Sequence, residues 1–206
     1  MVFGNQDPAK VGPKVEESLR KDLKLNAPLE YTTTAGDAGK TSAASVVGDM
    51  AGALFGGHSD LLFSIDASIP TPPGTAVKAL VFRQGVGAYV GSLVYTFTMN
   101  RTTAAPVTLD APKMFGSPKF SGDPTAAGKL NAAGDLAKRL NKFARTEVDL
   151  GALTVKSPRI IQLTPEGTGT RLVVGTLPKP VNMGMSFSLD AKEFCDLASS
   201  VEKALN

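Results

Sequence analysis

The chain has 206 residues, of which 42% are apolar and 20% charged, and its formal net charge is +3 at pH 7. These values exclude a disordered chain and are typical of a globular protein with one large domain or two small ones. A single Cys195 and a single His58 exclude an internal disulfide framework and a Cys/His zinc site. We therefore predict no metal site, and no motif indicates a cofactor.

The N-terminal region, residues 1–58, is predicted to be a segment of helices and loops. Pro13 suits the first position of a helix. The apolar face of this helix consists of Val15, Leu19 and Leu23. The residues from Thr32 to Ser42 are polar and contain glycine, so we expect a loop there. The first residues show no basic region followed by an apolar run, so we expect no signal peptide and a cytoplasmic protein.

The predicted loop contains GDAGKTS, which ends like a phosphate-binding loop. In G-x-x-x-x-G-K-[ST], backbone N–H groups surround the phosphates, while Lys and Ser/Thr supply charge and a magnesium ligand. Gly39, Lys40 and Thr41 match the end of this motif. However, Thr34 occupies the position of the first glycine, and no apolar strand precedes the loop. Phosphate binding at these three residues is therefore an alternative and not our first interpretation.

A small-residue helix is predicted from about Thr41 to Gly56. Its glycines Gly48, Gly52 and Gly56 recur every four residues and form a stripe that another backbone can approach closely. Glycine costs a helix up to ~1 kcal/mol per residue relative to alanine, so we expect a packing gain that offsets this cost. Packing within the chain is the first expectation, and self-association or reversible membrane contact is the alternative.

Strands with alternating apolar and polar residues follow, and they predict one continuous α+β region over residues 59–206 with the first segment packed on it. DLLFSIDASI and LVYTFTM each alternate with a period of two, which indicates one buried face. IIQLTPEGTGTRLVV predicts a hairpin. Asp66 could imitate the metal-orienting acid of a nucleotide-binding fold, but such strands are apolar on both faces and this one is not.

Two further helices complete the prediction. Asp123-Pro124 is typical of an N-cap followed by proline at the first helical position, and we expect this helix to reach about residue 145. Its basic residues could attract phosphate or anionic lipid, although a solvated face is the ordinary interpretation. These residues are Lys138, Lys142 and Arg145. A C-terminal amphipathic helix carries Cys195, which we interpret as a buried inert thiol and not as a nucleophile paired with His58.

The order of these elements favours an α+β fold with a mainly antiparallel sheet and about four helices. Because the sequence contains no coherent catalytic set, the first hypothesis is a non-catalytic binding or assembly protein. Its contact residues would be Gly48, Gly52, Gly56, Lys138, Lys142 and Arg145.

The expected partner of such a protein is a second copy or another protein, and an anionic ligand or a membrane surface is a secondary candidate. Nucleic acid is not expected, because the basic residues are too sparse. The alternative functions are a phosphate- or nucleotide-handling enzyme that uses Gly39, Lys40 and Thr41, and a small-molecule or lipid carrier. The carrier's cavity would be lined in part by Met183 and Met185.

Overall fold

The computed structural model describes residues 8–36, 59–84, 88–110, 116–144, 160–176, 179–180 and 190–206. Within these ranges the helices are α1 (Pro8–Asp22), α2 (Pro124–Ala132), α3 (Leu136–Ala144) and α4 (Ala191–Leu205). The strands are β1 (Tyr31–Ala35), β2 (Ser59–Ile69), β3 (Thr75–Gln84), β4 (Ala88–Met99), β5 (Val107–Asp110), β6 (Lys119–Gly122), β7 (Ile160–Glu166), β8 (Gly169–Gly175) and β9 (Lys179–Pro180).

The described strands are hydrogen bonded in the order β1-β2-β3-β4-β8-β7-β5-β6, and β9 pairs with β4. The pairs β1/β2, β4/β9, β5/β6, β5/β7 and β7/β8 are antiparallel. The predicted α+β fold, with an antiparallel sheet and about four helices, is therefore confirmed.

The chain divides into two units by its internal contacts. The first unit consists of Met1–Ile69, Ala76–Val94 and Leu177–Ala191. The second consists of Pro70–Thr75, Tyr95–Thr176 and Lys192–Asn206. The division that we predicted after residue 58 falls outside the described ranges and stays a prediction.

The first unit is built on β2, where the alternating pattern of the sequence is confirmed. The apolar residues at odd positions are all buried, and they are Leu61, Phe63, Ile65, Ala67 and Ile69. The helix α1 contacts β1 and β2, and Val15 and Leu19 of this helix are buried. The period of two in β2 therefore corresponds to one face in the core, as the hydrophobic effect requires.

The second unit has an aromatic centre on Tyr95, Phe143 and Phe194. The ring of Tyr95 stacks on Phe194 with centroids 4.8 Å apart and meets Phe143 edge-on at 5.4 Å. Such ring pairs add roughly 0.5–1.5 kcal/mol each beyond the burial of their area. The hairpin predicted around Pro165 is confirmed, because β7 and β8 pair from Ile160↔Gly175 to Glu166↔Gly169.

Three expectations about element bounds were wrong. Pro13 lies inside α1, which already begins at Pro8. The helix expected from Pro124 to about residue 145 is two helices, because Gly134 between them adopts the left-handed φ of 62° that ends an α-helix. The segment after Tyr31 is not a loop at its start but the strand β1, whose Tyr and Thr side chains favour strands.

Two other predicted elements lie outside the described residues. They are the helix from Thr41 to Gly56 and the segment with Met183 and Met185 that would line the cavity of a carrier.

Candidate functional site

A cleft lies in the second unit, where the loop after β4 passes the first turn of α2 and the end of α4. Its volume is about 540 Å³. The residues that line it are Asn100, Arg101, Thr102, Thr103, Ala104, Asp123, Thr125, Ala126, Lys129, Leu205 and Asn206. Most of these residues are polar, so the cleft is suited to a hydrophilic ligand.

Hydrogen bonds to the β7–β8 hairpin hold the middle of this loop. The Thr102 hydroxyl donates to the carbonyl oxygen of Thr168 at 2.9 Å. The Thr103 N–H donates to Oγ1 of Thr170 at 3.0 Å, and both threonines of this second pair are buried. Successive loop residues are therefore attached to the same hairpin, which fixes this wall of the cleft.

Asp123 attaches the next part of the loop to α2. Its Oδ1 accepts from the N–H groups of Thr125 at 2.9 Å and Ala126 at 3.0 Å, as an N-cap does. Its Oδ2 accepts from the N–H groups of Ala104 at 2.6 Å and Ala105 at 3.3 Å. One carboxylate thus satisfies four backbone donors from two segments of the chain.

These bonds also set the ionisation of Asp123. The N–H of Ala126 has the largest effect and lowers the pKa of the Asp123 carboxyl below its usual value. Burial acts in the opposite direction, and the N–H groups of Ala104, Ala105 and Thr125 add to the lowering. Asp123 is therefore an ionised carboxylate at neutral pH with a structural role, and it is poorly suited to proton transfer.

Lys129 forms the part of the cleft that joins α2 to α4. Its Nζ donates to the carbonyl oxygens of Leu205 at 2.9 Å and Asn206 at 3.4 Å. The last carbonyls of a helix have no partner within the helix and are stabilised by a cation near that end. Lys129 therefore contributes positive charge to the cleft while it holds α4 beside α2.

Arg101 is the second cation of the cleft, and its side chain is exposed. It directly precedes the hydrogen-bonded residues of the loop. Among the described residues, none of the ion pairs involves Arg101. The side chains of the described lining include two cations, Arg101 and Lys129, and one acid, Asp123. This excess of positive charge favours an anion beside Arg101.

Of the sequence-predicted site residues that the structure describes, neither lines this cleft. Lys138 and Lys142 are exposed one turn apart on α3 and do not line it. The remaining predicted residues fall outside the described ranges, and they are Gly39, Lys40, Thr41, Gly48, Gly52, Gly56 and Arg145.

The other candidate groups have structural surroundings where the structure describes them. Cys195 is buried, as predicted, and His58 falls outside the described residues. Asp66 forms an ion pair with Lys78 at 3.1 Å, which is an ordinary role for an acid on a half-exposed strand. Within the described ranges, no group of three or more Cys, His, Asp or Glu side chains could hold a metal ion. No helix in these ranges is long and apolar enough to span a bilayer.

The sequence predicted none of the cleft residues as part of a site, although it predicted a local structural role for one of them, Asp123. Asp123-Pro124 was interpreted correctly as an N-cap with proline in the first turn. Arg101 has no local pattern around it that distinguishes it from any surface arginine. Only the course of the loop places it beside α2.

Comparison of the chain with models of protein families, with curated proteins and with solved structures finds no match.

Proposed function

We propose that the protein is a non-catalytic binding protein that holds a small organic anion in the cleft beside Arg101. The observation that supports this proposal is a cleft of about 540 Å³ with an exposed arginine in its lining. Among the described residues, this arginine takes part in none of the ion pairs. Sites for small molecules have volumes of roughly 300–1,000 Å³. The cleft therefore has room for a ligand of a few hundred daltons.

The chemistry of the lining indicates the class of ligand. A guanidinium group binds a carboxylate or a phosphate through two parallel N–H···O bonds, which adds geometric selectivity to the charge. Asn100 and Thr125, which line the same cleft, offer an amide and a hydroxyl group. The best match is a hydroxylated carboxylate or a phosphate monoester, such as a sugar phosphate.

The lining also favours binding over acid–base chemistry. Asp123 is ionised and occupied by four N–H donors. Lys129 is bonded to the end of α4. Both groups hold walls of the cleft in place, and a wall that is ordered before binding reduces the entropy cost of binding.

Calorimetric titration with a matched pair of sugars tests this proposal. We expect glucose 6-phosphate to bind and glucose to bind at least tenfold more weakly, because only the phosphate can pair with Arg101. Arg101→Gln should weaken glucose 6-phosphate binding by roughly 10–100-fold, the effect of losing a hydrogen bond to a charged group. Lys138→Gln removes the same charge from an exposed site outside the cleft and should leave the affinity unchanged.

Equal binding of the two sugars, or equal effects of the two substitutions, would contradict a role for Arg101. Failure of glucose 6-phosphate to bind at 10 mM (about the weakest affinity that such a contact could support) would also contradict it.

A further inference from the structure

The start of β8 contacts the chain on both sides of Arg101. Before the arginine, the last residue of β4, Met99, lies so close to Gly169 that a Cβ on this glycine would collide with the Met99 carbonyl oxygen. After the arginine, the Thr103 N–H donates to Oγ1 of Thr170 at 3.0 Å. Gly169 and Thr170 are the first two residues of β8. Two adjacent positions of one strand therefore hold the chain two residues before and two residues after Arg101.

The hydroxyl group of Thr170 forms two hydrogen bonds with this loop. Its oxygen accepts from the Thr103 N–H, and its O–H donates to Oγ1 of Thr103 at 3.5 Å. Both residues are buried. A buried N–H that loses its partner is costly, because water does not replace the bond. This attachment therefore restricts the loop more strongly than an exposed hydrogen bond would.

Thr170 has no direct access to a ligand in the cleft. Its exposed fraction is 0%, and it is not one of the residues that line the cleft. The other attachment to the hairpin, from the Thr102 hydroxyl to the Thr168 carbonyl oxygen, is exposed, and Thr102 does line the cleft. Of these two hydroxyl groups, only that of Thr170 must act on a ligand through the loop.

We infer that the β7–β8 hairpin positions Arg101 for anion binding and that Thr170 is its positioning residue. The inference rests on the proposed function, because it takes Arg101 as the group that binds the anion. If the backbone at Arg101 is already fixed, only the side chain has to be ordered on binding, which lowers the entropy cost. Loss of the Thr170 hydroxyl should therefore weaken binding although no group that contacts the ligand is removed.

Calorimetric titration of three variants with glucose 6-phosphate tests the effect on affinity. Thr170→Val keeps the shape of the side chain without its hydroxyl group, and it should weaken binding roughly three- to tenfold, the effect of ordering one further group. Thr170→Ser keeps the hydroxyl and should retain the affinity of the unmodified chain. Val174→Ala removes buried apolar volume from the same strand but leaves the Thr170 hydroxyl in place, so it should also retain the affinity.

The mobility of the Arg101 amide separates positioning from a general loss of stability. Order parameters from NMR relaxation are about 0.85 for a rigid backbone and below about 0.6 for a flexible one. Without ligand, we expect Arg101 to be rigid in the unmodified chain, in Thr170→Ser and in Val174→Ala, and flexible in Thr170→Val. If Thr170→Val does not fold, Thr102→Val removes the exposed attachment instead and should also increase the mobility of Arg101.

Several results would overturn the inference. They are unchanged affinity in Thr170→Val, a rigid Arg101 in this variant (or in Thr102→Val where it replaces it), and an equal loss of affinity in Val174→Ala. If the unmodified chain does not bind glucose 6-phosphate, the proposed function fails and the inference fails with it. If the unmodified chain binds and Thr170→Val binds equally well, only the inference fails.

Discussion

Among single residues, Asp123 joins two segments of the chain that line the cleft. Its two carboxylate oxygens accept hydrogen bonds from different segments of the chain. Oδ1 accepts from the first turn of α2, and Oδ2 accepts from the loop after β4. A neutral side chain cannot accept from both, because the nitrogen of an amide is a donor. The negative charge is also favourable next to the N-terminal end of a helix.

We predict that Asp123→Asn lowers the melting temperature at pH 7 by about 5 °C through loss of hydrogen bonds at the cap or in the loop. Because folding lowers the pKa of Asp123, its ionised form stabilises the protein fully above the unfolded pKa of about 3.9. This contribution is lost as the pH falls through the lower, folded-state pKa.

The difference in melting temperature between the unmodified protein and Asp123→Asn should therefore be constant from pH 7 to pH 5 and should become smaller below about pH 4. Thermal unfolding followed by circular dichroism across this range measures it. Asp110→Asn, an exposed site in the same unit, is the control and should change little at any pH. A difference that grows as the pH falls would contradict the assigned role.

The sequence predicted the N-cap that Asp123 forms but not its hydrogen bonds to the loop after β4. A cap followed by proline is a local signal, visible in two adjacent letters. The bonds to Ala104 and Ala105 span 19 and 18 residues, and they depend on how β5 and β6 turn the chain back. Nothing local in the sequence encodes that return, so the second role and the position of Arg101 could not be predicted.

At the scale of elements, two glycines beside and within α2 have opposite roles. Gly122 has a φ of 111°, and a Cβ there would collide with the Pro106 carbonyl oxygen. This close approach lets β6 end directly at Asp123, whose N–H donates to the same oxygen. Gly128 lies in the middle of α2, where an added Cβ would meet no described atom within 4 Å apart from its chain neighbours and the backbone of its own helix.

The same substitution at these two glycines should therefore have effects of opposite sign. Gly122→Ala should reduce the free energy of unfolding by roughly 2–4 kcal/mol, because it combines an unfavourable φ with a collision with the backbone. Gly128→Ala should increase the free energy of unfolding by up to ~1 kcal/mol, because alanine is the better helix former. Urea denaturation of both variants measures these two changes in the free energy of unfolding. Equal changes in the two would contradict the described turn between β6 and α2.

The elements themselves were predictable where the hydrophobic pattern is regular. The alternation of β2 and the turn residues between β7 and β8 gave the correct strands, because burial of one face requires this pattern. The prediction missed β1, because polar threonines resemble a loop until β2 supplies its hydrogen-bonding partner. It also missed the break at Gly134, because the apolar spacing continues across it.

For the whole molecule, the order of the predicted helices and strands was enough to predict the α+β class. The same order did not predict the position of the cleft. The cleft combines residues from positions 100–104, 123–129 and 205–206 of the chain, and their approach is a property of the tertiary fold. The net charge of +3 is compatible with an anionic ligand. Electrostatic attraction of this kind weakens as salt is added.

A titration followed by amide NMR spectra tests whether an anion binds beside Arg101. With glucose 6-phosphate, we predict progressive shifts at Arg101, Thr102 and Thr125 that saturate together with one dissociation constant. Glucose should leave the spectrum unchanged at the same concentrations. Shifts elsewhere with none at these residues, or an unchanged spectrum at 10 mM glucose 6-phosphate (an affinity weaker than about −3 kcal/mol), would contradict anion binding at Arg101.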